Sequence, residues 1–254
     1  MTRWLSLFGG HDYEETTAHT LAVASQFGVD KVLVFDDVWL SAHPFRKLNA
    51  HLWETAEKIG CGWHSFKPLI ALQSMKLAAD GDVIGYVDAD TFPVRDLSPL
   101  YYAAARDGAA LFDCSGRPNR QWIRRDCFIA MGMDTERYWG TEHGCARFGF
   151  WKKGDWRAEQ FLMEWLTYCV NPLANTRPGP SKYGPEFPEL VEHRTDQAIY
   201  TLLAHRYGYT LHPEASEGPN RYFEQRHSTK GSPLSNGTGS RYRNVEMPTS
   251  EVRT

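Results

Sequence analysis

The stretch Gly81-Asp82-Val83-Ile84-Gly85-Tyr86-Val87-Asp88-Ala89-Asp90-Thr91-Phe92 constrains this chain more than any other. It opens on a turn signal, Asp80-Gly81-Asp82, and continues as an apolar, β-branched run. Such a run predicts a buried strand. The strand ends in two carboxylates, Asp88 and Asp90, with Pro93 behind them. Residues two apart in extended backbone point to the same side. Two carboxylates placed so repel each other unless a cation lies between them. Oxygen donors of this kind suit Mg²⁺ or Mn²⁺, whose open positions are commonly filled by phosphate oxygens. The plain alternative is a pair of solvated loop residues; the hydrophobic strand ahead of them favours the metal.

A length of 254 residues suits one large α/β domain or two small ones. A net charge of -3 carries no basic footprint for nucleic acid. The cysteines number 5, widely spaced and without a Cys-x-x-Cys, which predicts reduced thiols, a cytoplasmic location and no zinc site. Met1-Thr2-Arg3-Trp4 opens no signal-peptide core, and no apolar run is long enough to span a membrane.

Residues 4–8 read as a first strand, closed by Gly9-Gly10 and a loop through His11, Asp12 and Tyr13. A helix over 16–27 follows, with Gly28 as its C-terminal cap. Residues 31–35 form a second strand ending in Asp36-Asp37. This βαβ spacing predicts parallel neighbours, and open α/β sheets bind ligands at the carboxyl ends of their strands. Phe8, Gly9, His11, Tyr13, Asp36, Asp37, Asp88 and Asp90 then share one rim. Further helices are expected over 45–59 and, capped by Ser65, up to Ala79. Lys67, at the start of the latter, faces a phosphate or a sugar hydroxyl, or is a surface lysine.

Beyond the two aspartates, Asp96 to Leu100 turns into a short helix; 109–112 and 145–151 read as strands. Asp155 caps an amphipathic helix carrying Phe161, Leu162, Trp165, Leu166 and Cys169, which makes Trp165 a core residue. Residues 171–188 form a long loop. Thr195 can cap a helix with Ile199, Leu202 and Leu203 inward and Asp196 in its first turn, where a carboxylate also complements the helix dipole. Residues 221–230 combine aromatics, cations and a histidine, and the polar end should pack weakly. No linker divides the chain, so 1–230 is expected as one domain and 231–254 as a tail.

The run from Asp82 to Thr91, with Asp96-Leu97 and Leu100 after it, resembles the core motif of GT-A-fold glycosyltransferases. The form closest to it is that of the glycogenin and bacterial galactosyltransferase group. Lys67 and Asp196-Gln197 are similar to that group's donor-contacting cation and later Asp-Gln. Arg124-Arg125-Asp126, Glu164-Trp165-Leu166 and the segment from His193 to Gln197 also resemble bacterial and viral glycosyltransferases of polysaccharide assembly.

The resemblance implies a single Rossmann-like domain with a mixed, mostly parallel sheet flanked by helices. It implies transfer of a sugar, with retention or inversion, from a nucleotide-diphosphate sugar, a UDP-sugar foremost, to a glycan or other hydroxyl acceptor. Mn²⁺ or Mg²⁺ would be held by Asp88, Asp90 and His227, with His212 a rival for the third place. Ala89, Arg226 and Lys230 would join the donor contacts, and Asp196-Gln197 would face the positive charge forming on the sugar. The group's usual Asn-Ser-Gly strand is absent around Cys145-Ala146-Arg147. A non-catalytic sugar-binding module is the alternative. A haloacid-dehalogenase-type phosphatase fits less well, because Phe92 stands where it needs Thr or Val.

Overall fold

A computed structural model of the chain describes residues 1–9, 13–55, 62–176 and 179–226. The strands are β1 (Arg3–Phe8), β2 (Lys31–Phe35), β3 (Val83–Val87), β4 (Thr91–Pro93), β5 (Ala109–Pro118), β6 (Glu142–Gly144), β7 (Phe148–Lys152), β8 (Leu211–His212) and β9 (Phe223–Gln225). Seven of them form one sheet in the order β2-β1-β3-β7-β5-β6, with β8 beside β5, while β4 and β9 make a separate ribbon. β1 pairs in parallel with β2 and β3, as the βαβ spacing predicted. β7 runs antiparallel between β3 and β5, and β6 runs antiparallel to β5. β2, β1, β3, β5 and β8 therefore point one way, and only β7 and β6 oppose them. This is the mixed, mostly parallel sheet expected from the sequence.

Side-chain alternation explains why the β3 segment is apolar throughout. Trp4, Phe8, Ile84, Tyr86, Leu111 and Trp151 belong to one core. Leu5, Leu7, Val83, Val87, Phe112 and Phe150 belong to the other. The period of two sends alternate residues to opposite faces, and a sheet covered on both faces needs apolar residues at nearly every position. The first core is completed by the helices Phe66–Leu77, Trp156–Cys169 and Thr195–Arg206. Ser98–Asp107 contributes Leu100, Tyr101 and Ala104 to the second. Trp165 is fully buried, as its helical spacing required.

Several local expectations change. Within the helix expected over 45–59, Pro44–Leu48 and Ala50–Thr55 are helical with a break at Asn49, and 56–59 lie outside the described residues. His43 breaks the chain before Pro44 by capping Phe45 N with Nδ1, and Asn49 ends the next turn by bonding Phe45 O. The strand expected over 145–151 begins only at Phe148, because 145–147 is the bend between β6 and β7. Asp155 caps as expected, accepting from Arg157 N and Ala158 N. Ser65 and Thr195 do not cap: neither makes a side-chain cap bond, and Arg194 takes the N-cap position of the later helix. The tail over 231–254 lies outside the described residues, and among those described no helix is long and apolar enough to cross a membrane.

Gly85 shows how tightly the central strand is sandwiched. A Cβ there would lie 2.7 Å from Phe150 Cε1 and 3.2 Å from Leu5 Cδ1. Phe150 is fully buried and has no room to retreat. Gly85→Ala should therefore destabilise the protein by about 1–3 kcal/mol through overpacking. Urea unfolding checks this, and an unchanged midpoint would show that the sheet yields.

Candidate functional site

The site lies at the carboxyl ends of β1, β2 and β3. β7 also reaches this rim, because an antiparallel strand begins where its neighbour ends, and Val87 pairs with Phe148. Asp88 N donates to Arg147 O at 2.8 Å, closing the turn on that side. Two long helices, Phe66–Leu77 and Thr195–Arg206, start here and aim their N-termini at the rim.

Lys67 is the centre of the site. Its Nζ lies 2.9 Å from Asp88 Oδ1, 3.0 Å from Asp88 Oδ2 and 3.7 Å from Asp196 Oδ2. Its side chain is 9% exposed and that of Asp196 only 4%, so Lys67 is no surface lysine. Burial lowers the Lys67 pKa, but Asp196 and Asp88 outweigh it and hold the ammonium above the usual lysine range. Burial also pushes Asp196 upward, but Lys67, His64 and Thr195 together bring it below the ordinary carboxylate range. His64 Nδ1 lies 3.4 Å from Asp196 Oδ1, and Thr195 Oγ1 donates to the same oxygen at 3.2 Å. Asp196 Oδ2 is buried and makes no hydrogen bond.

Asp88 behaves differently. Burial and the charge of Asp90 push its carboxyl above the usual range, although Lys67 and the Tyr86 hydroxyl, which donates to Oδ1 at 2.8 Å, oppose the shift. Among the described residues Asp90 is bound by neutral donors, Thr91 Oγ1 at 2.9 Å and Gln225 Nε2 at 2.6 Å. Gln225 arrives on β9, which pairs with β4 immediately after Asp90. Arg226 N then donates to Asp90 O at 2.8 Å, and the Arg226 guanidinium lies over Phe92. The end of the described chain is thus stitched to the aspartate turn. His11, His227 and Lys230 lie outside the described residues.

Other predicted residues have firm local partners. Asp36 caps the helix Asp37–Ala42 through Trp39 N. Asp37 opens that helix, and Tyr13 precedes the helix Glu14–Val23. Phe8 packs on Phe66, with ring centroids 4.7 Å apart, and Gly9 N donates to Phe35 O. Ala89 is buried between the two aspartates. Gln197 faces away from Asp196: its Oε1 accepts from Ala146 N at 3.4 Å, and its Nε2 donates to Cys114 Sγ at 3.6 Å. His212 lies on β8 in register with Phe112 and acts electrostatically on Asp107. Asp126 is held by Ser181 and the backbone of Lys182 and Tyr183, so it anchors the loop after residue 178. The four described cysteines, Cys114, Cys127, Cys145 and Cys169, are free thiols.

Three contributors were missed by sequence reasoning. Tyr86 looked like one more apolar strand residue. Arg147 stands in the bend before β7, where its charge reaches Asp88 and Asp90 while Nη1 bonds Ser216 Oγ at 2.9 Å and pairs with Glu214. His64 and Trp63 have φ of 61° and 56°, and with Thr195 at 46° they are the non-glycine residues of positive φ among those described. No short-range signal announces such backbone; its clustering around Asp196 marks strain gathered at one place.

The carboxylates fit a divalent cation: both offer hard oxygen, Asp88 is destabilised by Asp90, and Asp90 makes no ion pair among the described residues. No group of three or more His, Cys, Asp or Glu side chains placed to hold a metal occurs among the described residues.

No family model matches the chain, and no curated protein matches it. Among solved structures it is similar to the apo form of mouse xyloside xylosyltransferase 1, at 12% identity and a TM-score of 0.44, over 84% of each chain. It is similar to the apo glycosyltransferase GlyE of Streptococcus pneumoniae TIGR4, at 12% identity and a TM-score of 0.41, over 84% of this chain and 45% of that one. It is also similar to apo WbbM, a bifunctional glycosyltransferase, at 11% identity and a TM-score of 0.46, over 82% of this chain and 37% of that one. The chain thus spans less than half the length of GlyE and WbbM.

Lys67→Met would leave Asp88 and Asp196 buried without their cation. Breaking a buried ion pair from one side typically costs ~3–5 kcal/mol. Urea unfolding should show a loss of that order, with part recovered when Asp196→Asn is added. A loss in Lys67→Met no larger than that of an exposed lysine variant would mean that solvent, and not Lys67, balances the carboxylates.

Proposed function

We propose that the protein is a metal-dependent glycosyltransferase that moves a sugar from a UDP-sugar to a hydroxyl acceptor, a glycan foremost. The observation that carries this reading is the turn Asp88-Ala89-Asp90 at the open end of β3, where a carboxylate that makes no ion pair among the described residues stands beside one destabilised by its charge. The motif resemblance supports it. So does the convergence of two helix N-termini, Lys67 and Arg147 on one rim, an arrangement suited to a diphosphate.

In this reading Asp88 and Asp90 hold Mn²⁺ or Mg²⁺, with His227, the residue after Arg226, as the third protein ligand. A divalent ion there would neutralise the donor's diphosphate and stabilise the charge that develops on it as it leaves. Lys67 and Arg147 add fixed positive charge beside the leaving group, and Arg226 and Lys230 reinforce it from the C-terminal side. The rim from Phe8 to Tyr13 with Asp36 and Asp37 takes the base and ribose. Asp36 uses one carboxylate oxygen as a helix cap, so its share is a contact from a rigid wall. Asp196 supplies the negative potential that favours positive charge on the sugar, and Gln197 lines the opposite side.

Calorimetry with UDP, with and without Mn²⁺, tests the reading. UDP should bind only when Mn²⁺ is present, and both Asp88→Asn and Asp90→Asn should lose that binding and sugar transfer while keeping the parent's circular dichroism. Binding of free monosaccharides without metal, and none of UDP, would instead identify a sugar-binding module. His227→Ala should weaken Mn²⁺ dependence, and His212→Ala should not.

A further inference from the structure

The pairing of His64 with Asp196 has the geometry of an oriented base. Nδ1 faces the Asp196 carboxylate at 3.4 Å, and the imidazole is 34% exposed although Asp196 is buried. Nε2 has no hydrogen-bond partner among the described residues. Because Asp196 stays ionised, it draws the single proton of a neutral imidazole to Nδ1 and leaves the Nε2 lone pair directed outward.

The surrounding structure holds this arrangement firmly. Trp165 Nε1 donates to Asp196 O at 2.9 Å, and Lys67 N donates to His64 O at 3.1 Å. Trp63 is held from two directions, by its own Nε1 on Thr55 Oγ1 and by Asn175 Nδ2 on its carbonyl. The left-handed backbone at Trp63, His64 and Thr195 is therefore imposed by its neighbours.

We infer that His64 Nε2 takes the proton from the acceptor hydroxyl during sugar transfer, with Asp196 as the residue that positions it. This rests on the transferase reading above and adds the group that activates the acceptor. The acceptor oxygen bonds to the anomeric carbon as the bond from that carbon to the diphosphate oxygen breaks. That bonding pair leaves with the diphosphate, the hydroxyl proton passes to Nε2, and the imidazolium formed lies against the Asp196 carboxylate. The other titratable groups around the pair are Lys67, with Asp88 and Tyr86 behind it, and the buried thiol of Cys169.

Histidine-selective ¹⁵N NMR on the parent protein reads the dyad directly. The His64 ring should carry its proton on Nδ1, and Asp196→Asn should remove that preference; a proton on Nε2 in the parent overturns the inference. His64→Gln then tests the chemistry. UDP with Mn²⁺ should bind parent and variant alike by calorimetry; failure of the parent to bind sinks the transferase reading itself. Release of UDP from UDP-glucose, UDP-galactose and UDP-xylose, with p-nitrophenyl glycosides as acceptors, gives the rates. In the variant kcat should fall about 100-fold or more with donor KM unmoved, the scale of a lost general base. The acidic limb of kcat/KM against pH should flatten. A variant that binds UDP and turns over within a few-fold of the parent, with its acidic limb intact, overturns the role of His64.

Discussion

One buried ammonium holds the site together. Lys67, Asp88 and Asp196 are far apart in the chain, and they meet because the helix Phe66–Leu77 runs back along β3 while the helix Thr195–Arg206 packs on the same face. Taking Lys67 out of water is costly, and only the attraction of both carboxylates makes it tolerable. Such a cluster demands exact placement of three separate elements and penalises any arrangement that leaves one charge alone. The balance is also lopsided. Asp88 and Asp196 meet at Lys67, Asp90 adds its charge beside Asp88, and Arg147, whose charge reaches Asp88 and Asp90, is paired with Glu214. The excess is negative, the sign that a divalent cation requires, and it falls on Asp90.

Sheet topology decides which residues can join. Had β7 run parallel to β3, the bend at 145–147 would lie at the far end of the sheet. Its reversal brings Arg147 beside Asp88. The ribbon of β4 and β9 does similar work for the C-terminal segment, since pairing Thr91 with Gln225 fixes Gln225 on Asp90. Both connections are anchored in the second core, where Phe223 of β9 stacks on Phe148 of β7. The rim can therefore carry polar groups while the two cores keep the sheet rigid beneath it.

What could be read beforehand depended on how far the deciding contact lay along the chain. The β3 run, the parallel pairing of β1 and β2, the Gly28 cap and the Asp155 cap depend on period, composition or immediate neighbours, and each was legible. The aspartates stood out because charge at the end of a fully apolar strand is itself a local contrast. His64 and Arg147 carry no such contrast, since their partners are Asp196 and Glu214. Thr195 misled for a related reason: its hydroxyl looks like a cap, but φ of 46° turns the chain so that it bonds the Asp196 carboxylate instead. The helix expected over 45–59 is interrupted at Asn49, whose side chain takes the Phe45 carbonyl.

The turn at Thr195 also explains how a dipeptide can serve two walls. Successive residues on a helix point about 100° apart, so Asp196 and Gln197 cannot face the same partner. Asp196 is driven inward to Lys67 and His64, and Gln197 is left to reach Ala146 and Cys114 on the β5–β7 side. A helix entered from an ordinary extended N-cap would have offered the Asp196 carboxylate to its own free N–H groups. Entered from a left-handed residue, it releases Asp196 from capping, and one of its oxygens remains buried without a hydrogen bond. The strain at Thr195 and the unsatisfied oxygen are thus one feature. They keep a charged carboxylate poised between a fixed ammonium and a partly exposed imidazole, and an ordinary helix start would have dissipated that arrangement.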